Sequence, residues 1–206
     1  MQRSVGMEGR KILLDPSAAE SMTADASVCA SHDDITLRAA TDADMDFLRD
    51  VFSSTRMQEF ASAGMPVEQA EPLLASQFSI QHDYYRRHYP HGRFDIIVRG
   101  EKNVGRLYHD WHGDVAQLID IALLPAYRGA GIGTRLMQAI VAEAARKNMP
   151  MRLYVEFNNP VRTLYRRLGF VPAGENGVYE LMRRDAMPFE HEGTWAPIKG
   201  LSNHFQ

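Results

Sequence analysis

Apolar side chains recur along this chain with two periods, and each period predicts a different kind of element. A short strand is expected over Ile35 to Ala40. Thr41 or Asp42 can then cap a helix whose apolar positions keep helical spacing, namely Met45, Leu48, Val51 and Phe52. Gly64 interrupts that pattern, and a second helical region follows from Val67 to about His88.

Three strand-like runs come next, and the short turns between them predict an antiparallel meander. The runs span Arg93 to Gly100, Val104 to Trp111 and Val115 to Leu124. A long amphipathic helix is predicted roughly from Ile132 to Lys147, because its apolar residues share one face. These residues are Ile132, Leu136, Met137, Ile140, Val141, Ala144 and Ala145.

The remaining segments alternate between strand and helix. Met151 to Phe157 is a predicted strand, and NNPVRTLYRRLGF after it is a predicted helix. Asn159 is suited to cap this helix and Pro160 to occupy its first position. Gly169 is suited to the left-handed conformation that ends a helix. Two short strands, FVPA and GVYELMRR, end the series. The whole order predicts a mixed α/β sheet within one domain.

The two ends of the chain differ from this periodic middle. Residues 1–34 are rich in Ser, Ala and Asp without a sustained period, which predicts a flexible N-terminal tail. The folded domain is expected over residues 35–187, with a C-terminal extension over 188–206. Four apolar residues are expected to pin the extension to the domain: Phe189, Trp195, Ile198 and Phe205. Two roles stay open for it, crossing to a partner in a homodimer or covering a substrate site.

Composition narrows the function classes. The chain has 206 residues, of which 45% are hydrophobic and 24% charged, and its formal net charge is −3. This profile fits a globular domain and gives no reason to expect a nucleic-acid partner. No apolar run approaches the ~20 residues of a membrane span, so no membrane partner is expected. The N-terminus shows no signal-peptide core, and a cytoplasmic location is expected. The single cysteine, Cys29, excludes an internal disulfide framework, and its place in the tail argues against a nucleophile.

Three glycines between the third strand of the meander and the long helix are the first sign of chemistry. The stretch reads YRGAGIG, with Gly129, Gly131 and Gly133. A triphosphate-binding loop needs a lysine after its last glycine, and none follows here. A dinucleotide-binding turn needs a glycine where Thr134 stands. The pattern that fits is R-x-x-G-x-G from Arg128, which opens a helix and suits a diphosphate. A turn required only for its geometry remains the alternative.

A second motif follows one strand later, and together the two motifs resemble the GNAT superfamily of N-acetyltransferases. The pattern of that superfamily has an Asn at the end of the next strand and then a helix reading L-Y-x-x-x-G-F. In this chain these are Asn158, Leu164, Tyr165, Gly169 and Phe170. The resemblance covers about residues 35–184. It implies a central, mostly antiparallel twisted sheet flanked by helices.

The resemblance also implies acetyl-CoA, or another acyl-CoA, as cosubstrate. Its diphosphate is expected on the residues of the glycine motif, which are Arg128, Gly129, Ala130, Gly131, Ile132, Gly133 and Thr134. Backbone groups near Leu123 and Leu124 are expected to serve the pantetheine arm, and Asn158 is expected to bond near the same arm. The implied reaction is direct attack of a neutral amine on the thioester.

Tyr165 is the residue that the resemblance assigns as the acid for the leaving thiolate. Its position alone favours another interpretation. Val161, Leu164, Tyr165 and Leu168 form an apolar stripe, which predicts a core-facing ring. The oxyanion is expected to be held by a backbone N–H of the fourth strand.

The base is less determined. Gln117 stands eleven residues before Arg128, where the superfamily often has a glutamate, and an amide accepts no proton usefully. Asp120 on the same strand and Glu156 on the next strand are the nearest carboxylates. Either is a candidate to take the proton of the amine, directly or through a chain of water molecules. Strand alternation places Asp120 on the face opposite Gln117 and Ile119 unless a bulge intervenes. A buried, paired, structural Asp120 is an equal alternative.

The segment HDWH contains two histidines, His109 and His112, which are too few to indicate a metal site. No metal is therefore expected, and the segment is predicted to form a polar turn.

The superfamily usually builds its acceptor side from the first two helices, whose polar candidates here are Arg56, Glu59, Gln77, Gln81 and Tyr85. The partner is a small-molecule or peptide amine of undetermined class. A non-catalytic acyl-CoA-binding or sensing module of the same fold remains the alternative, because of Gln117.

Overall fold

The computed structural model describes residues 35–186 and 198–201. The predicted tail over 1–34 with Cys29, and Phe189, Trp195 and Phe205 of the extension, lie outside the described residues. The predicted order of elements is confirmed. The strands are β1 Ile35–Ala39, β2 Arg93–Arg99, β3 Lys102–Asp110, β4 Ala116–Leu123, β5 Met151–Glu156, β6 Val171–Asn176 and β7 Tyr179–Arg184. The helices are α1 Met45–Ser62, α2 Val67–His88, α3 Ile132–Arg146 and α4 Arg162–Arg167.

All seven strands form one sheet in the order β1-β2-β3-β4-β5-β7-β6. The strands β2, β3 and β4 form the predicted antiparallel meander, and β4 and β5 are the parallel pair, connected through α3. A parallel pair needs such a crossover, whereas antiparallel neighbours can be joined by tight turns. None of the described helices is both long and apolar enough to cross a membrane.

Two apolar cores lie on opposite faces of the sheet. Leu107 belongs to one core and its neighbour Tyr108 to the other, because successive side chains of a strand point to opposite faces. The first core contains the predicted apolar stripe of α3 except Ala145, with Tyr165 and Phe170 around α4. The second is built mainly by α1 and α2, with residues such as Leu48, Phe52, Leu74 and Phe78. The apolar periodicity predicted for α1 and α3 is therefore confirmed, each helix facing its own core.

The helix α4 begins later than predicted. Asn159 does not cap it directly; its Oδ1 accepts a hydrogen bond from the Val161 N–H at 3.0 Å, and tight turns precede the helix. The predicted stop is confirmed, since the Gly169 N–H donates to the Arg166 carbonyl and the Phe170 N–H to the Tyr165 carbonyl, both at 3.0 Å. This short helix is therefore fixed at its end by Phe170, which is buried in the first core.

The parallel pairing of β4 and β5 is short. The two strands pair at three positions, Ala116 with Met151, Gln117 with Arg152 and Leu118 with Leu153. Directly afterwards the β3–β4 register shifts: His109 faces Leu118, but Tyr108 faces Asp120. Ile119 is therefore an extra residue, a β-bulge, which bends and twists its strand. Beyond the bulge β4 stays paired with β3 and separates from β5.

The described end of the C-terminal extension lies against β1. The Leu37 N–H donates to the Lys199 carbonyl at 2.8 Å, and Ile198 and Leu201 are buried in the first core. The predicted role of Ile198 as an anchor is confirmed. Gly200 allows this approach because it has φ +92°, and a Cβ there would overlap the Leu37 carbonyl oxygen.

We expect Gly200→Ala to lower the free energy of unfolding by about 3 kcal/mol, because it combines a left-handed backbone with loss of the apolar anchor. Gly64→Ala is the matched control, since Gly64 has φ +73° but nothing within 4 Å of an added Cβ. The control is expected to cost about 1 kcal/mol. Urea denaturation measures both, and equal losses would contradict the contribution of this contact.

Candidate active site

A cleft of about 720 Å³ opens where β4 and β5 separate. Besides β4 and β5, its lining comes from α1, α2, β3, β7, α4 and the start of α3. The predicted residues that line it are Arg56, Glu59, Gln81, Tyr85, Asp120, Leu123, Arg128, Gly133, Glu156, Asn158 and Tyr165. The predicted residues outside its lining are Gln77, Leu124, Gly129, Ala130, Gly131, Ile132 and Thr134. Most of the predicted set is therefore gathered around one opening, while Gln77 is exposed on α2 away from it.

The glycine loop ends in a left-handed residue that begins α3. Gly131 has φ 78°, and its carbonyl accepts the hydrogen bond of the Arg135 N–H at 3.0 Å. The amides of Ile132, Gly133 and Thr134 precede that bond and have no intrahelical acceptor. A Cβ built on Gly131 meets nothing within 4 Å, so the space beside the loop is open. Exposed amides at a helix N-terminus form a cradle that fits a diphosphate.

Arg128 lies between the loop and the rest of the cleft. Its Nε donates to the Leu123 carbonyl at 2.8 Å, and its Nη2 lies 3.2 Å from both the carbonyl and the hydroxyl of Ser54. The predicted diphosphate partner is thus folded back onto β4 and α1. These groups are exposed, so the side chain can turn toward an anion at the loop at little cost.

The open edge of β4 presents Leu123 rather than Leu124. The Leu124 N–H donates to the Val104 carbonyl at 2.9 Å within the sheet. The prediction that backbone groups of both leucines serve the cleft is therefore wrong for the Leu124 amide. Backbone groups of an antiparallel strand alternate in direction, so the N–H and carbonyl of Leu123 face away from β3. Its carbonyl is the one that Arg128 contacts.

Tyr165 belongs both to the core and to the cleft. Its ring packs on Phe170 with centroids 6.0 Å apart, while the residue also lines the opening. Both sequence interpretations thus describe part of its position. Burial raises the pKa of the Tyr165 hydroxyl above its usual range, and the negative charge of Asp120 raises it further. The hydroxyl therefore keeps its proton at neutral pH and can act as a donor.

Asp120 forms an ion pair that the sequence did not indicate. Its Oδ2 lies 2.5 Å from Nη2 of Arg106, whose side chain is only 4% exposed. Arg106 also donates to Gln81 of α2 at 3.1 Å. The alternation that placed Asp120 opposite Ile119 is wrong, because the bulge puts both on the face covered by α1 and α2. A signal for Arg106 existed, namely a cation within the apolar run of β3.

Gln117 and Glu156 occupy different settings. Gln117 is buried; its Nε2 donates to the Leu118 carbonyl at 2.8 Å, and its Oε1 accepts from Arg152 at 2.7 Å. Both ends of this amide are thus satisfied by the sheet. Glu156 is half-buried at the end of β5, where it lines the cleft. Of the two, only Glu156 offers a carboxylate to a reactant.

The two histidines of HDWH have separate structural roles. His109 is buried; its Nδ1 accepts from Trp111 at 2.7 Å, and its Nε2 lies 3.3 Å from Asp95. The predicted polar turn is therefore wrong for His109. His112 is exposed and stacks on His91, with centroids 4.1 Å apart. No group of three metal-binding side chains is found among the residues described.

Comparison with known proteins places this geometry among acetyltransferases. The model of the acetyltransferase (GNAT) family matches residues 56–170. The PaiA N-acetyltransferase from Thermoplasma acidophilum, solved with coenzyme A, is similar with a TM-score of 0.57 and 20% identity, over 73% of this chain and 98% of that one. An acetyltransferase from Thermus thermophilus is similar with a TM-score of 0.51 and 21% identity, over 74% of this chain and 97% of that one. A spermidine N-acetyltransferase chimera from Vibrio cholerae and hSSAT is similar with a TM-score of 0.52 and 19% identity, over 74% of this chain and 95% of that one. At these identities the likeness is one of fold.

We expect Asp120→Ala to lower the free energy of unfolding by about 3 kcal/mol, because Arg106 stays buried without its counter-ion. The double variant Arg106→Met with Asp120→Ala is expected to recover most of that loss. Glu59→Ala, an exposed carboxylate of the same cleft, is the control and is expected to change stability by less than about 0.5 kcal/mol. If the double variant is no more stable than Asp120→Ala alone, the loss of stability does not come from breaking the ion pair.

Proposed function

The chain belongs to the acetyltransferase (GNAT) family, and we propose that it transfers an acetyl group from acetyl-CoA to a primary amine by direct attack on the thioester. One observation carries the proposal: the gap between β4 and β5 is lined both by Gly133 of the glycine loop and by a protonated tyrosine, Tyr165. A strand-like arm fits such a gap because β4 presents unpaired backbone groups along it.

The donor is held chiefly by backbone. Amides from Gly129 to Thr134 bind the diphosphate, and Arg128 turns from Leu123 to flank it. The Leu123 carbonyl is then free to accept a hydrogen bond from an amide of the pantetheine arm. Asn158, exposed at the opposite side of the gap, bonds near the same arm. Acetyl-CoA supplies the activated acyl group.

The residues of the cleft assist the reaction at three atoms: the carbonyl oxygen of the thioester, the leaving sulfur and the attacking nitrogen. The attacking nitrogen forms a bond to the acyl carbon, and the C–S bond breaks. The Leu123 N–H, which faces the gap, stabilises the oxyanion that develops. Tyr165 gives its proton to the leaving thiolate. The nitrogen loses its proton to Glu156, directly or through water, because the charge of Asp120 is already compensated by Arg106.

A second candidate is a module that binds acyl-CoA without turnover. The observation that favours it is Gln117, whose side chain is committed to Arg152 and Leu118 at the position where the family often has a glutamate. Release of free thiol from acetyl-CoA, measured with a broad panel of amines, separates the two. Tight binding without release across the panel would support the module and contradict the enzyme.

We expect Tyr165→Phe to lower kcat at least about 100-fold and to change the Kd of CoA by less than about threefold, because only the proton donor is lost. Tyr84→Phe, an exposed tyrosine outside the cleft, is the control and is expected to leave both values unchanged. Thiol release gives kcat and calorimetry gives Kd. Unchanged turnover in Tyr165→Phe would remove the assigned role.

The pH dependence follows from the same assignment. Since the pKa of Tyr165 is raised above its usual range, its proton is present below about pH 10, and kcat should show no alkaline decline up to that pH. Glu156→Gln should alter the acidic limb of kcat/KM, whereas a base elsewhere would leave that limb in place. An alkaline decline near pH 8 that disappears in Tyr165→Phe would contradict the raised pKa.

A further inference from the structure

The charged side chains of the cleft are not all paired with one another. Among the described residues six of them line it: Arg56, Glu59, Arg106, Asp120, Arg128 and Glu156. Arg106 and Asp120 form an ion pair, and Arg128 is bonded to Leu123 and Ser54. The other three make no ion pair in the described part of the chain. Of these, Glu59 is exposed at the rim, whereas Arg56 and Glu156 are half-buried.

Arg56 is held by an aromatic ring instead of a carboxylate. Its guanidinium lies over Phe52, 5.1 Å from the ring centroid, and Phe52 itself is buried. A cation–π contact fixes the position of a guanidinium but leaves its N–H groups without acceptors. Glu59 lies three residues further along α1, yet no ion pair within 4 Å joins it to Arg56 among the described residues. Arg56 therefore presents free donors to the cleft.

Two guanidinium groups lie near the ring of Phe52. Arg106 also lies near this ring, with its guanidinium 5.8 Å from the centroid. Asp120 pairs with Arg106, and within the described residues Arg56 has no ion-pair partner. In addition, Nε of Arg106 is buried with no hydrogen-bond partner among the described residues. A partly desolvated corner with surplus donors is suited to a carboxylate, which an arginine binds in bidentate fashion.

Glu156 is the other half-buried charge of the cleft without an ion pair among the described residues. It ends β5 at the gap where the acyl group is transferred in the proposed function, while Arg56 belongs to α1 in the same lining. An acceptor whose amine is near Glu156 and whose anionic group reaches Arg56 would satisfy both charges. A polyamine, with cations at both ends, would place one of them beside Arg56.

We propose that the acceptor is a primary amine that also bears a carboxylate, as an amino acid does, and that Arg56 selects it by binding that carboxylate. This inference rests on the proposed function, since it concerns the acceptor of the same reaction. Arg56 acts here on specificity and touches no reacting atom.

The test compares amines that differ only by the carboxylate. A panel pairs amino acids with apolar, basic and acidic side chains with their decarboxylated amines, and adds spermidine. Thiol release gives kcat/KM for each member in the wild type, Arg56→Gln, Arg56→Lys and Arg49→Gln. Arg49 is the matched control, because it is on the same helix, paired with Asp46 and outside the cleft.

We expect the carboxylated member of at least one pair to be preferred by the wild type. Arg56→Gln should lower kcat/KM for it about 10- to 100-fold while changing the plain amine less than about threefold. Arg56→Lys should recover part of the loss, and Arg49→Gln should behave as the wild type. Comparing each amine in the variant with the same amine in the wild type cancels the different nucleophilicities, and an unchanged Kd for CoA confirms an intact donor site.

The possible failures are distinguishable. Thiol release with plain amines or spermidine only, or an equal loss for both members of a pair in Arg56→Gln, overturns the inference and leaves the proposed function standing. No release with any amine, despite CoA binding, overturns both.

Discussion

Ile119 is one residue more than the β3–β4 ladder can accommodate, and the cleft depends on that extra residue. The bulge keeps β4 bonded to β3 while its other edge leaves β5 after three pairs. Unpaired backbone groups are then available along a gap at the centre of the sheet, a position where a sheet normally satisfies them. A ligand with amide groups can replace the missing strand. The bulge also aims Asp120 at the face covered by α1 and α2, and so determines which side chains meet there.

The second constraint is the charge of Arg106, which lies buried in the wall of the cleft. Arg106 is buried against Phe52 and Tyr108, and it is stable there because Asp120 compensates its charge. In the proposed function that pairing makes Asp120 a structural neighbour of the reaction rather than its base. It also affects the charge of the wall near Phe52, where Arg56 adds a cation that has no carboxylate partner among the described residues. The environment of Tyr165 belongs to the same field, since the charge of Asp120 contributes to holding the tyrosine proton in place.

Local signals predicted the elements well. The periodicity of α1 and α3, the extent of α2, the meander and the glycine stop of α4 were all readable because they depend on neighbours within a few residues. The bulge was not, because it is defined by which residue of β3 faces which residue of β4. The errors follow from it or from similar long-range pairing: the face of Asp120, the occupied amide of Leu124 and the buried place of His109. Arg106 could have been suspected as a cation inside an apolar strand, but its partner depends on the shifted register.

The most direct test of this account is amide hydrogen exchange of the full chain with and without saturating CoA. The account predicts slower exchange at two separate places, the amides of Gly129 to Thr134 and the open edge of β4 around Ile121 and Leu123. The amide of Leu124, already bonded to Val104, should change little. Protection at the glycine loop without protection of β4 would contradict the assignment of the gap to the donor arm. Saturating CoA with no protection at either place would contradict the donor site as a whole.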